Sequence, residues 1–192
     1  MGTIQEELVK DALESNAQYA AVVDTARISF HEEFRKACER NACGRYNTCW
    51  VGPPAIGPIS ELIAKVHKYQ HGLLFQTVHQ ISTSLDWKGM MDAAEIHNKI
   101  FRSLMAKIDS RYHFQDILPL DAGCCKICKK CSYLKGKPCR HPDEAVSSVE
   151  AYGIDVTALE KEAGIPYYNG KNTVSYIGLI LFREKKVAEV TT

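Results

Sequence analysis

Residues 123–142 read GCCKICKKCSYLKGKPCRHP, and they hold five of the chain's eight cysteines together with six Lys or Arg and no Asp or Glu. The stretch carries no apolar period and is broken by Gly and Pro, so it reads as a loop. Any fold this chain adopts has to hold that loop in place. Within it the thiols run Cys125-x2-Cys128-x2-Cys131-x7-Cys139. Three cysteines at repeated x2 spacing turn their sulfurs to the inside of one tight loop, which suits a compact iron–sulfur cube. Zinc more often takes two separated knuckles, and here the third cysteine comes too early for that pattern. Gly136 and Pro138 can turn the chain back so that Cys139 supplies a fourth ligand. The reading is therefore a [4Fe-4S] cluster, with structural zinc and free thiols as the alternatives.

A second group, Cys38-x4-Cys43-x5-Cys49, lies in the Gly- and Pro-rich segment 41–58 and the helix before it. Three thiols alone are a weaker signal, since buried structural cysteines are common. Cys124 is the one thiol left over. It either turns away from Cys125 to complete a second cluster with Cys38, Cys43 and Cys49, or it is a bystander. In the second case the first site keeps an open iron that can act as a Lewis acid. A closed pair of clusters points to electron transfer, an open site to catalysis.

The basic residues of the loop are Lys126, Lys129, Lys130, Lys135, Lys137 and Arg140. They offset the negative charge of a thiolate-bound cluster and tend to raise its reduction potential. They also offer a docking face over 126–140 for an acidic redox partner, against the plainer reading of a solvated charge run. Net charge is only +1, so no global field draws the chain to nucleic acid or membrane.

The longest apolar run, YIGLILF at 176–182, is far shorter than the roughly 20 residues of a membrane helix. The N-terminal stretch is acidic and amphipathic, unlike a secretory signal, and Glu6 stands where a myristoylation motif has Ser or Thr. The expectation is a cytoplasmic protein, in which cysteines serve metal or redox chemistry rather than disulfides.

At 192 residues and 45% hydrophobic content the chain is expected to form one domain over 1–192. Apolar spacing predicts helices at 3–16, 31–40, after Pro58 with Ser60 as cap, 88–108, 142–151 and 155–163. Strands are expected at 20–24, 72–81, 114–120 and 173–182, and an N-terminal helix and a C-terminal tail at 1–17 and 183–192. The alternation implies an α+β or α/β fold, a mixed sheet of about four strands with helices packed on it.

Other residues carry weaker signals. His67 and His71 are four apart, a spacing that can serve one metal, although helix-end histidines are common. His141 follows the last cysteine and can hydrogen-bond a cluster sulfur or protonate a bound substrate; its plainer role is packing beside Pro142. Arg140 can grip a carboxylate or phosphate. Tyr46 and Trp50 flank Cys49 and read best as loop anchors. No phosphate loop, dinucleotide fingerprint or Ser-His-Asp signature is present.

The segments CKICKKCSYLKGKPCRHP and EAYGIDV, with the earlier CGRYNTCWVGPP, resemble the signature of a family of uncharacterised, cysteine-rich prokaryotic proteins predicted to bind metal. The resemblance spans roughly residues 30–183. It implies metal, iron–sulfur in kind, and anaerobic or strictly reducing biology, but no known reaction. Two departures stand out. The family pattern runs the early cysteine straight into Pro-Pro, whereas Trp50, Val51 and Gly52 intervene here. It also carries proline more often than cysteine at 124, which would make the first site a three-cysteine one. The functional expectation is an iron–sulfur protein of one or two clusters engaged in electron transfer. The alternatives are a cluster enzyme acting at an open iron on an anionic or sulfur-containing substrate, and a zinc-stabilised interaction module.

Overall fold

Two strands dominate the computed structural model, which describes residues 2–184. Strand β2 (His71–Gln80) and strand β5 (Thr173–Arg183) pair antiparallel along their whole length, from His71 opposite Phe182 to Gln80 opposite Thr173. Strand β1 (Tyr19–Asp24) adds antiparallel to β2, and β3 (Asp116–Asp121) antiparallel to β5. A fifth strand, β4 (Ser147–Ser148), runs parallel to β3, giving a mixed sheet in the order β1-β2-β5-β3-β4.

The period of two sends alternate side chains to opposite faces, and both faces are covered. Leu73, Phe75, Ile180 and Phe182 pack against helix α1 (Ile4–Glu14) and helix α4 (Trp87–Arg111). Leu74, Ile177, Leu179 and Leu181 pack against α3 (Ile59–Val66) and α5 (Val156–Glu162). The remaining helix, α2 (Glu33–Glu39), buries no residue. The class is α+β, as the sequence predicts, with one strand more.

Local chemistry explains the helix ends. Thr3 and Glu6 form a reciprocal capping box at the start of α1. Asp86 accepts from the Gly89 amide to cap α4, whose buried Ala93, His97, Phe101, Leu104 and Ile108 lie at helical spacing. At α3 the cap position is Pro58 and Ser60 sits inside the helix, so the expected Ser60 cap is not made. The expected helix at 142–151 is also not formed. Its middle is β4, and only Glu150–Tyr152 makes a short 3-10 turn, because Ser147 and Ser148 pair with Leu120 and Asp121 instead. Of the expected C-terminal tail, Arg183 closes β5 and residues from 185 on lie outside the described ones. Among the described residues no helix is long and apolar enough to cross a membrane.

Two core features have measurable consequences. Gly178 lies under the rings of Phe75 and Phe101, and a Cβ there would sit 2.5 Å from Phe75. The Gly178→Ala variant should lose about 1–3 kcal/mol, read as a lower denaturation midpoint at unchanged slope. Asp11, fully buried on α1, accepts from Tyr112 and Arg111 and pairs with Lys107 of α4. Burial pushes its carboxyl up, but the Tyr112 and Lys107 hydrogen bonds and the charges of Lys107 and Arg111 outweigh this and hold it below the ordinary value of 3.8. A depressed carboxylate stabilises the fold above its unfolded value, and that contribution fades as pH falls below it. Asp11→Asn should therefore destabilise the fold at neutral pH, and its unfolding midpoint should fall less steeply than that of the wild type between pH 5 and pH 3 (roughly the carboxylate range).

Candidate metal centre

Parallel strands cannot be joined by a tight hairpin and need a long crossover. Between β3 and β4 that crossover is residues 122–146, the cysteine-rich segment itself. Its start is fixed from below. Asp121, the last residue of β3, accepts from the Ala122 amide and from Asn98 of α4, and its carbonyl accepts from the Val149 amide. Further along, Ser132–Lys135 make a 3-10 turn closed by Gly136, and Ser132 donates to the Pro138 carbonyl. Arg140 donates to the Lys130 carbonyl, so the guanidinium expected to grip a substrate is at least partly used to hold the loop.

This winding brings Cys125, Cys128, Cys131 and Cys139 around one enclosed cavity of about 20 Å³, with His141 on its wall. Cys49 lines the same cavity. The sequence grouped Cys49 with Cys38 and Cys43; the structure places it with the later run. The reason lies in the turn that carries it. The Asn47 amide donates to the Pro53 carbonyl, and Tyr133 donates to the Asn47 side chain. Trp50 donates through Nε1 to the Lys137 carbonyl at 2.9 Å and meets the Tyr133 ring edge-on at 5.0 Å. Ser147 of β4 donates to the Val51 carbonyl. Trp50 is thus an anchor, as expected, but it ties the first loop to the second. Gly52 completes the cradle: a Cβ there would come within 3.0 Å of the Cys49 sulfur.

Cys38, delivered by α2, and the exposed Cys43 do not line this cavity; the charges acting most on Cys38 are those of Arg35, Cys43, Glu150 and Glu39. Cys124 lines a neighbouring hollow with Cys125, Asn98, Arg102 and Asp121, and it is the thiol that acts most strongly on Cys49. Cys125 lines both hollows, whereas Cys124 lines only the second. His67 and His71 do not form a pair. His67 packs edge-on against Phe30, and His71 lies by Phe182 on the other side of the sheet.

Burial pushes the Cys49 and Cys125 thiols up, and neighbouring sulfurs add to the effect. No carboxylate lines the cavity. A set of cysteines with no carboxylate among them suits a thiophilic metal better than Mg or Ca. The cavity is only about 20 Å³, and among the described residues no three His, Cys, Asp or Glu side chains already converge on a single point.

Behind the loop runs a polar line with no sequence motif to announce it. His97 of α4 is buried, with Nε2 3.0 Å from Asp121 Oδ1 and Nδ1 2.8 Å from Thr77 Oγ1. His79 Nε2 lies 2.9 Å from the same hydroxyl. The Nε2–carboxylate approach is close enough for charge attraction but out of line for a hydrogen bond. Burial and the nearby His97 both push His79 down. The order Thr77, His97, Asp121 looks like a nucleophilic triad, yet the Thr77 hydroxyl is fully buried, so no substrate can meet it.

A family model described as predicted metal-binding protein (DUF2284) matches residues 21–182, from β1 to the end of β5 and across both cysteine loops. The chain belongs to that family. No curated protein matches it. Among solved structures, it is similar to epoxyqueuosine reductase from Bacillus subtilis, seen with a catalytic loop swung out of the active site. The identity is 8% and the TM-score 0.47, over 98% of this chain and 50% of that one, so the chain spans half the length of that structure.

Cys49→Ser should lower bound metal per purified chain as much as Cys125→Ser does. Cys38→Ser and Cys43→Ser should leave the content of that site unchanged.

Proposed function

We propose that this member of a predicted metal-binding family is an iron–sulfur protein whose cluster is held in the cavity lined by Cys49, Cys125, Cys128, Cys131 and Cys139, and that it carries electrons. The observation that carries the reading is that five cysteines line one small cavity, three of them from a single x2-x2 run. When bound, such a cluster supplies one-electron chemistry. The chain's own residues provide the rest. Cys125, Cys128, Cys131 and Cys139 offer four thiolates from one loop, with Cys49 a fifth donor from the earlier loop. The 3-10 turn, Trp50 and the buried Asp121 hold the loop, and Val146 and Cys49 are themselves buried beside it. The exposed Lys129, Lys130, Lys135 and Lys137 do not line the cavity.

Zinc on the same thiols is the competing reading. Anaerobic purification followed by iron, acid-labile sulfide and zinc analysis, with electron paramagnetic resonance after reduction, separates the two. The expected result is about four irons and four sulfides per chain in this cavity. Zinc without sulfide would sink the redox reading. Iron beyond that content, lost on Cys38→Ser, would place a second centre at the first loop.

A further inference from the structure

The cysteine loop has an outer side as well as an inner one. There, a groove of about 850 Å³ is lined by Lys129, Lys130, Lys135, Lys137 and Arg140, with no carboxylate in its wall. Ile127, Cys128, Cys131, Ser132 and His141 line both this groove and the inner cavity, so the wall between the two includes two of the cysteines. Leu134, on the 3-10 turn between the lysines in sequence, is 59% exposed, an apolar side chain turned to solvent. Across the Pro138–Cys139 segment lies a shallow apolar hollow of about 460 Å³, built by Trp50, Val51, Pro142 and Ala145 and walled by Cys139.

We infer that this outer face is a docking surface for an acidic protein, with Leu134 and the Trp50 hollow as its apolar contacts and the lysines as its charged rim. An apolar centre inside a polar rim is the anatomy of a protein interface. A site for a small anion is built differently, from enclosed and preoriented donors. Here every lysine is exposed, and Arg140 already donates to the Lys130 carbonyl. Exposed lysines around an open groove steer an approaching negative surface rather than grip one anion. With the chain near neutrality at +1, this local patch is what such a partner meets. Resting on the cluster reading, the partner is an electron donor or acceptor, and the electron crosses the wall that includes Cys128 and Cys131. One reduced group in the partner is oxidised as the cluster gains that electron, or the reverse.

Isothermal titration of the purified full chain against two acidic probes, a plant-type ferredoxin and poly-glutamate, tests the surface. Binding should weaken at least about tenfold from low to high salt. It should weaken about as much in the Lys129→Glu, Lys135→Glu, Lys137→Glu triple variant. Leu134→Ser should weaken ferredoxin binding at both salt concentrations. Dithionite should reduce the triple variant as fully as the wild type, showing that its cluster is intact. Binding unchanged in the triple variant would overturn the inference, as would no binding of either probe to the wild type. Tighter, lysine-dependent binding of tripolyphosphate or of a single-stranded oligonucleotide would overturn it too. Lysine-dependent ferredoxin binding by a chain that holds only zinc would keep the docking surface and discard the electron.

Discussion

The parallel pairing of β3 with β4 sets the constraint on which the functional end of the molecule depends. Only two residues of β4 take part, Ser147 beside Leu120 and Ser148 beside Asp121. Yet that short pairing obliges the chain to leave the sheet at 121 and return to the same edge 26 residues later. Most proteins fill such an excursion with a helix. Here it is filled with thiols, and its ends are fixed by the sheet while its middle is fixed by Trp50, Tyr133 and Arg140. A rigid base and a loop held at its ends are what place several soft donors around one cavity.

The two halves of the molecule show different kinds of stabilisation. The sheet is an apolar sandwich, in which β2 and β5 send Leu and Phe to both faces. The cysteine-loop end has few buried apolar side chains and relies on hydrogen bonds to backbone carbonyls, from Trp50, Ser147, Ser132 and Arg140. Each such bond contributes only about 1 kcal/mol net. This end is therefore the part of the fold whose local stability is most open to a bound metal.

Much of the architecture was legible in the sequence because its signals are local. The capping box at Thr3, the helical spacing from Ala93 to Ile108 and the β-branched run of β5 each act within a few residues. The x2-x2 cysteine run is equally local, and its three residues line one cavity. What was not legible depends on meetings of distant segments. A two-residue strand gives no period to detect, so 142–151 read as a helix. Cys49 lies close to Cys43 in sequence but is carried elsewhere by the Trp50 and Tyr133 contacts, which no spacing rule contains. His97 and Asp121 come from a helix and a strand end, and their meeting has no motif. Family membership confirms the metal-binding class for this chain without choosing among ligands.

The position of Cys49 on the same cavity as the later cysteine run has a further consequence. Donors drawn from two segments far apart along the chain make metal binding a ring closure. Closing a long ring removes conformational freedom from the unfolded chain, so any metal shared by Cys49 and the later loop acts as a clasp as well as a cofactor. Its loss would release the 47–54 turn along with the ligands. Metal content and the order of that turn would then rise and fall together, and amide exchange at Asn47 and Gly52 would report on occupancy as directly as a spectrum.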